Sequence, residues 1–202
     1  MMQKKQKLEI ESNINKNIKG SGCMKLRLAS NLTYDSIVDG PGLRMVIWTQ
    51  GCIHDCYKCH NPQTHKLDDG IIIDTDYIID EMKKLKLHRG ITLSGGEPFL
   101  QPRALLLVAK EAKKRNLDVW CYTGFKFEYL INKENTLYMY NKALLEYIDI
   151  LVDGKFVYEK RDINLKFRGS SNQRIIDVKN SLIQNEVVLK DGYMEIDLHM
   201  VK

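Results

Sequence analysis

Three cysteines within eight residues are the feature of this sequence most suited to chemistry. They are Cys52, Cys56 and Cys59, and the segment 51–65 around them also holds three histidines. Thiolate and imidazole groups bind soft and borderline metal ions. The other two cysteines, Cys23 and Cys121, are isolated, and an odd total of five in a chain that opens without an export signal disfavours a disulfide framework. The segment therefore predicts a metal site or reactive thiols.

Four kinds of site fit parts of this segment. The pattern C-x-x-C-H is that of c-type haem attachment, which needs export, and a redox C-x-x-C leaves Cys52 without a role. A Cys₃His zinc site would draw all its ligands from one loop, whereas structural zinc usually joins separated pairs. An iron–sulfur cluster uses all three thiolates and leaves one iron open, which is typical of catalysis. We expect the cluster, with the histidines incidental, and keep zinc as the alternative.

The elements that must position these residues alternate between strands and helices. Apolar patterns predict strands at residues 44–49, 90–94, 118–122, 148–152 and 172–178, and helices at 74–87 and 102–115. This alternation predicts βαβ units and a parallel sheet in an α/β fold. The cysteine segment follows the first strand, and a polar segment follows each of the next three. Because the carboxyl ends of parallel strands meet at one edge of the sheet, we expect these segments to converge.

The polar segments at the strand ends contain the other candidate residues. After the second strand comes SGGEP, in which backbone without side chains can approach a ligand closely. After the third comes a Thr-Gly pair, and after the fourth comes DGK, whose acid accepts hydrogen bonds and whose lysine neutralises a carboxylate. The candidate cofactor-binding residues in these segments are Ser94, Gly95, Gly96, Glu97, Thr123, Asp153 and Lys155.

Taken together, these motifs resemble a known superfamily. A C-x₃-C-x₂-C loop after the first strand, followed by GGEP after the second, is similar to the radical S-adenosylmethionine enzymes. The segment VDGPGLR at 38–44 resembles the opening of activating enzymes for glycyl radical enzymes. The pair LVDGKF and RGSSNQR, at 151–156 and 168–174, resembles the activating enzymes of anaerobic (class III) ribonucleotide reductase. The resemblance covers about residues 28–178.

The resemblance implies a fold, a cofactor set and a reaction. The fold would be an open, partial βα barrel with a 4Fe-4S cluster on the three cysteines and S-adenosylmethionine at the open iron. Reductive cleavage of S-adenosylmethionine would create a glycyl radical on anaerobic ribonucleoside-triphosphate reductase, with an electron donor such as reduced flavodoxin. No residue beyond the cluster and cofactor would be catalytic. The residues implied to face the partner are Asp39, Arg44, Arg168 and Asn172.

The sequence departs from the superfamily pattern at two places. Lys58 stands where an aromatic residue often lies against the adenine. Cys59 is followed by His60, Asn61 and Pro62, as in the pyruvate formate-lyase activating enzymes. Activation of pyruvate formate-lyase or another glycyl radical enzyme is therefore the nearest alternative. A non-catalytic, zinc-stabilised binding module is the alternative from a different class.

Composition sets the remaining expectations. The net charge is +5, but residues 1–22 carry five lysines and two glutamates and so supply +3 of it. We predict a poorly ordered basic leader at 1–23, dispensable for function, and one domain at 24–202. No basic stripe with interleaved aromatic residues is present, so nucleic acid is not an expected partner. No apolar run is long enough to cross a bilayer, and we expect a cytoplasmic protein without a membrane partner.

Overall fold

The computed structural model describes residues 23–193, which form an α/β structure around a single mixed sheet. Its strands are β1 (Lys25–Leu28), β2 (Thr33–Ser36), β3 (Arg44–Thr49), β4 (Ile71–Asp74), β5 (Gly90–Gly95), β6 (Asp118–Thr123), β7 (Ile150–Asp153) and β8 (Arg174–Asp177). Its helices are α1 (Thr75–Met82), α2 (Pro102–Lys114), α3 (Phe127–Leu130), α4 (Tyr138–Leu145) and α5 (Val178–Gln184). The predicted leader at 1–23 lies, except for Cys23, outside the described residues.

The sheet has a parallel centre and antiparallel flanks. The strand order is β4-β1-β3-β5-β6-β7-β8, and β2 also pairs with β3. Strands β3, β5, β6 and β7 are parallel neighbours, as the sequence predicts. The pairs at both flanks are antiparallel, so the expectation of an entirely parallel sheet is corrected. Between β2 and β3 the reason is the connection of seven residues, 37–43, which is shorter than a parallel crossover needs.

The helices cover one face of this sheet. All five described helices contribute to a large apolar cluster with the inward residues of the strands, such as Ile47, Leu93 and Cys121. Helix α2 shows why: its buried residues recur at three- and four-residue intervals, and Pro102 occupies its first turn, where no amide donor is required. The central strands are buried on both faces, as is typical of parallel strands.

The opposite face of the sheet is covered differently. Trp120, Ile150, Val152 and Ile175 form a smaller cluster there. Its partly buried neighbours, which include Phe167, come from strand and loop residues, and no described helix contributes to it. The two faces therefore differ: one is packed by helices and the other by aromatic and aliphatic side chains.

Helix α1 is shorter than the sequence predicts. The pattern predicts a helix over 74–87, but α1 ends at Met82 and the next turn is tighter. The amide of Lys84 donates to the carbonyl of Glu81, and the amide of Leu85 donates to that of Met82. Such bonds over three residues end many helices, and Leu85 still packs against the large cluster. Among residues 23–193, no helix combines the length and apolarity that crossing a membrane requires.

Candidate functional site

The cysteine segment is a closed excursion from the carboxyl end of β3. The amide of Gly51 donates to the carbonyl of Thr64 at 2.8 Å, and the amide of Cys52 donates to that of His65 at 3.1 Å. These two bonds join the beginning and the end of the segment. All three thiols consequently belong to one loop at the edge of the sheet where the parallel strands end.

Two residues inside this loop adopt a left-handed backbone. Asp55 has φ of 47° and Lys58 has φ of 52°, and each immediately precedes a cysteine. A non-glycine residue in this region costs roughly 1–2 kcal/mol. The second turn is closed by a bond from the amide of Cys59 to the carbonyl of Cys56 at 3.0 Å. These sharp turns are what allow the three cysteines to share so short a loop.

The donor set suits an iron–sulfur cluster. Cys52, Cys56 and Cys59 are free and half-buried, and burial raises the pKa of the Cys52 and Cys56 thiols. Metal binding would therefore release protons from the loop. Among residues 23–193, no three His, Cys, Asp or Glu side chains are arranged around one point as ligands of a single ion. In a cluster each thiolate binds a different iron, so three thiols need not surround one point.

A buried carboxylate connects the loop to two other strand ends. Glu97 is fully buried and accepts hydrogen bonds from the Thr123 hydroxyl at 2.8 and 2.9 Å and from the amides of Phe99 and Gly124 at 2.9 Å. Its fifth contact is with the Nε2 of His54, at 2.6 Å. With Glu97 as an acceptor, the tautomer that completes this pair is the one with the proton on the Nε2 of His54. Glu97 thus holds segments that follow β3, β5 and β6.

The two glycines of SGGEP let the backbone of β5 approach the start of the cysteine loop. A Cβ at Gly96 would lie 2.3 Å from the carbonyl oxygen of Gly51, and one at Gly95 would lie 2.5 Å from the amide nitrogen of Thr49. Gly95 also has φ of 105°, which side chains disfavour. A hydrogen bond of 2.8 Å from the Gly96 amide to the Thr49 carbonyl also joins the two segments. These glycines therefore allow the backbone after β5 to pack directly against the start of the cysteine loop.

The segment after β7 is fixed by a charged network. Asp153 is fully buried, and its carboxylate accepts from Arg174 at 2.9 and 2.5 Å and from the amide of Phe127 at 2.8 Å. Arg174 also binds Glu128 through two bonds of 2.9 and 2.8 Å. The guanidinium lowers the pKa of Glu128 to about 2, and the two carboxylates raise the pKa of Arg174. This network closes the end of β7 against β8.

The RGSSNQR segment holds the DGK segment against the cysteine loop. The side-chain amide of Asn172 donates to the Lys155 carbonyl at 2.9 Å, and that of Gln173 donates to the Gly154 carbonyl at 3.0 Å. The exposed ammonium of Lys155 donates to the His54 carbonyl at 3.4 Å. Sequence reasoning found no role for this segment apart from the family resemblance. In the structure, the RGSSNQR segment fixes the backbone of the DGK segment.

The predicted convergence of the strand-end segments is confirmed. Hydrogen bonds join the cysteine loop to the segments after β5 and β7. The segment after β6 meets the loop through the ring contact of Phe125 with His54 and is bonded to Glu97 through the Gly124 amide. The Asp153 carboxylate, however, is fully buried and bonded inward, so its expected role as a side-chain ligand of a small molecule is corrected. The Glu97 carboxylate is also fully buried, and contact of a cofactor with the backbone of the GGEP segment stays a prediction. Ser94, Gly95, Gly96, Thr123 and Lys155 all lie at this edge, and their cofactor contacts stay predictions.

Two of the expected partner-facing residues are buried, and those predictions are corrected. Arg44 has no exposed surface: it donates to the Thr92 hydroxyl at 2.8 Å and to the Ile91 carbonyl at 2.7 Å, and pairs with Asp118 at 2.5 Å. Arg168 is 8% exposed and donates to backbone carbonyls of its own loop. Guanidinium groups paired inside the protein are not available to a partner.

The other two expected partner-facing residues belong to different segments and are not buried. Asp39 precedes β3 and is half-buried, with its carboxylate accepting from the Ser36 hydroxyl at 2.6 Å. Asn172 lies beside Lys155 at the carboxyl edge. The Asp39 carbonyl accepts from the Thr92 hydroxyl at 2.7 Å, and Thr92 is the third of the six residues of β5, so the segment before β3 folds back along the sheet. Partner contact by either residue stays a prediction.

His54 is the site residue that sequence reasoning missed. Its histidine neighbours are exposed or half-exposed, whereas the His54 side chain is 6% exposed and bound to Glu97. The expectation that the histidines are incidental is therefore wrong for this residue. No signal in the sequence separates it from His60 and His65, because the group that buries it lies 43 residues away.

Comparisons with known proteins agree with this geometry. Residues 38–176 match the family model described as a 4Fe-4S single cluster domain. The chain is 35% identical over 147 residues to the anaerobic ribonucleoside-triphosphate reductase-activating protein of Haemophilus influenzae, covering 69% of this chain and 90% of that one. It is 39% identical over 145 residues to the Salmonella typhimurium protein of the same name, covering 68% and 90%. The protein of the same name from Enterobacteria phage T4 is 34% identical over 160 residues, covering 71% and 93%.

Among solved structures, the crystal structure of QueE from Escherichia coli has a TM-score of 0.41 and 16% identity, covering 50% of this chain and 53% of QueE. The sequence relatives are far closer, and the domain match spans more than half of the chain. The chain therefore belongs to the family of anaerobic ribonucleoside-triphosphate reductase-activating proteins and contains its 4Fe-4S single cluster domain.

Proposed function

We propose that this protein is a radical S-adenosylmethionine activase that generates the glycyl radical of anaerobic ribonucleoside-triphosphate reductase. One observation carries the proposal: three half-buried thiols, Cys52, Cys56 and Cys59, share one loop at the carboxyl edge of a parallel sheet, inside a 4Fe-4S single cluster domain. The names of the relatives supply the partner. Three protein ligands leave one iron of a four-iron cluster for S-adenosylmethionine.

The chemistry of the site comes from its cofactors. Cys52, Cys56 and Cys59 would hold a 4Fe-4S cluster, which would supply the single electron for reductive cleavage of S-adenosylmethionine and so for removal of a hydrogen atom from the reductase glycine. The chain itself contributes orientation and exclusion of water. Glu97, held by groups from three strand ends, keeps the cysteine loop in place at the sheet edge.

Several groups at this edge suit the polar parts of S-adenosylmethionine. The exposed ammonium of Lys155 has three donors and uses one in a bond of 3.4 Å to the His54 carbonyl, so it can also bind a carboxylate. The backbone at Gly95 and Gly96 can offer carbonyls to an ammonium group without side-chain interference. Asp153 acts differently in this proposal, because its side chain is bonded to protein and holds the neighbouring segments in position. The Thr123 hydroxyl is bonded to Glu97, and its contact with the cofactor remains a prediction.

An open, partial barrel is part of the proposal. The described sheet has β4 and β8 as its two ends, and these strands do not pair with each other. Such a sheet leaves an opening into which a loop of another protein can enter. We infer that the reductase presents its glycine there and that a reduced electron carrier such as flavodoxin serves as donor. Cytoplasmic location and the absence of nucleic-acid and membrane partners remain predictions.

The test is a reconstitution in two stages. The full chain is loaded with iron and sulfide without oxygen, reduced with dithionite and given S-adenosylmethionine, and 5′-deoxyadenosine is measured. Its absence despite a complete cluster would refute the activase. The loaded protein is then mixed with anaerobic ribonucleotide reductase or with pyruvate formate-lyase, and a glycyl EPR doublet is sought. A signal with the lyase and none with the reductase would overturn the partner assignment. Stoichiometric zinc without sulfide in the protein as isolated would favour the non-catalytic alternative.

A further inference from the structure

His54 occupies a place in the cysteine loop that the proposed chemistry does not explain. It lies midway between the first two cysteines, yet its side chain is 6% exposed and turned into the protein. Its Nε2 is 2.6 Å from the carboxylate of Glu97, and its ring meets that of Phe125 edge to face, with centroids 4.5 Å apart. A residue with these contacts is a point of attachment of the loop to the sheet.

The surroundings of His54 are shaped to admit its ring. A Cβ at Gly124 would lie 2.2 Å from the imidazole, so only glycine at this position leaves room for it. The backbone carbonyl of His54 is also engaged, by the Lys155 ammonium at 3.4 Å. The strand ends after β5, β6 and β7 thus all contact this one residue of the loop. Within the part of the chain that the structure describes, the exposed neighbours Ile53 and Asp55 have no comparable set of contacts.

We propose that His54 is a positioning residue: anchored by Glu97, it holds the segment between Cys52 and Cys56 in the shape that cluster binding needs. The proposal rests on the proposed function for the identity of the cluster. Its physical basis is the arrangement of the loop. Backbone hydrogen bonds from residues 51 and 52 to residues 64 and 65 join the two ends of the loop, but they do not fix the residues in its middle. The left-handed Asp55 follows His54 directly, so the anchor also stabilises the turn before Cys56.

Loss of the anchor should weaken cluster retention more than folding. Groups that orient metal ligands through a hydrogen bond typically contribute about 10- to 100-fold to metal affinity. Without the bond from His54 the 52–56 segment would sample more conformations, and each cluster-binding event would have to order it again. The expected phenotype is a folded protein that loses iron quickly.

The experiment compares two substitutions of His54 by amide side chains of different length. In His54→Gln the side-chain amide can take the place of Nε2 and donate to Glu97, whereas in His54→Asn the amide is one methylene too short. Wild-type and variant chains are reconstituted anaerobically, and the rate of iron release to a ferrous chelator, the iron and sulfide content and the EPR spectrum of the reduced cluster are recorded. We expect His54→Asn to release iron about 10- to 100-fold faster than wild type and His54→Gln to lie close to wild type.

His88→Asn is the matched control, since His88 has a 9% exposed side chain but lies before β5, at the other end of the sheet. It should retain iron like the wild type, with circular dichroism confirming that all three variants are folded. Equal iron release by His54→Asn and wild type, or no difference between the Asn and Gln variants, would overturn the proposal. Because the readout is iron release, it remains decisive even if S-adenosylmethionine cleavage fails in the wild type, which would instead count against the proposed function.

Discussion

A buried charged residue lies near each end of the parallel strands, and the two residues serve different purposes. At the amino edge, the fully buried Arg44 bonds to Thr92 and to the carbonyl of Ile91 and pairs with Asp118. At the carboxyl edge, the fully buried Glu97 bonds to His54 and Thr123. Both groups are satisfied by the protein, as buried charges must be.

The difference lies in what the partners of each charge do. The groups around Arg44 are strand backbone and strand side chains, together with the Pro41 carbonyl of the connection before β3. Their positions determine the fold. The groups around Glu97 are the last residue of β6, Thr123, and residues of the segments that follow β3, β5 and β6. The first of these segments carries all three clustered cysteines. A buried charge alone therefore marks a junction between elements, and the residues attached to that junction decide whether it supports stability or chemistry.

The largest effect is expected from the cysteines at the carboxyl edge. Cys52→Ala, Cys56→Ala and Cys59→Ala should each yield a folded protein that forms no detectable 5′-deoxyadenosine, because a thiolate ligand of the cluster is missing. Cys121→Ala is the control: this cysteine is buried in the large apolar cluster and is not in the loop. Turnover is measured after anaerobic reconstitution. Full activity in any of the three loop variants would show that its thiol does not hold the cluster.

A large effect on stability, without one on the cluster, is expected at the amino edge. Arg44→Met leaves the buried Thr92 hydroxyl and Ile91 carbonyl without this donor. At about 1–3 kcal/mol for each unsatisfied group, the free energy of unfolding should fall by about 2–6 kcal/mol. The matched control is Arg89→Met, since Arg89 binds the same Asp118 at 3.0 Å from a position with 60% of its side chain exposed, and should cost less than about 1 kcal/mol. Urea denaturation measures both. Normal stability combined with loss of iron in Arg44→Met would show that Arg44 supports the cluster and not the stability of the fold.

A smaller effect on stability but a clear effect on the cluster is expected for Glu97→Gln. The substitution keeps the shape but presents an amide group to the donors of His54, Thr123 and Gly124, and a buried unsatisfied group costs about 1–3 kcal/mol. Iron release should accelerate as it does in His54→Asn, since both changes break the same contact. The double variant should release iron no faster than whichever single variant releases it faster. Additive acceleration would mean that the two residues act on the cluster separately.

The smallest effect concerns the pH dependence of the network after β7. Arg174 lowers the pKa of Glu128 to about 2, against an ordinary value of about 4.3. The stabilisation by this pair is therefore fully present above about pH 4.3 and is lost as the pH falls toward 2. With 58% of the Glu128 side chain exposed, it should amount to less than about 1 kcal/mol. Unfolding of wild type and Glu128→Gln should differ at pH 6 and converge as the pH falls below 4; a constant difference would contradict the assignment.

The organisation of the site could be predicted from the sequence because it depends on local patterns. Strand β3 is formed as predicted, and β5 and β6 are each one residue longer than predicted. The rule that parallel strands gather their carboxyl ends then brings the loops together. The flanking strands could not be predicted in this way. Strand β2, with the sequence TYDS, is four residues long and three of them are exposed, so no alternation of apolar and polar residues marks it.

The buried charges could not be predicted because their partners are distant in sequence. Arg44 and Asp118 are 74 residues apart, and His54 and Glu97 are 43 apart. From sequence alone, an arginine or a glutamate beside a functional motif is most simply assigned to the ligand or to the partner. Only the folded sheet, which brings β3 beside β5 and β5 beside β6, shows that these side chains are used to join elements.

The left-handed residues before Cys56 and Cys59 give the cysteine motif a torsional requirement that its spacing does not show. At residues 55 and 58 the backbone must accept φ near 50°. Glycine meets this demand without strain, asparagine and aspartate meet it at low cost, and β-branched residues meet it poorly. A chain can therefore carry C-x₃-C-x₂-C and still be unable to form this loop. Reading the residues between the cysteines by their backbone preferences, and not only counting them, should separate loops of this shape from coincidental matches.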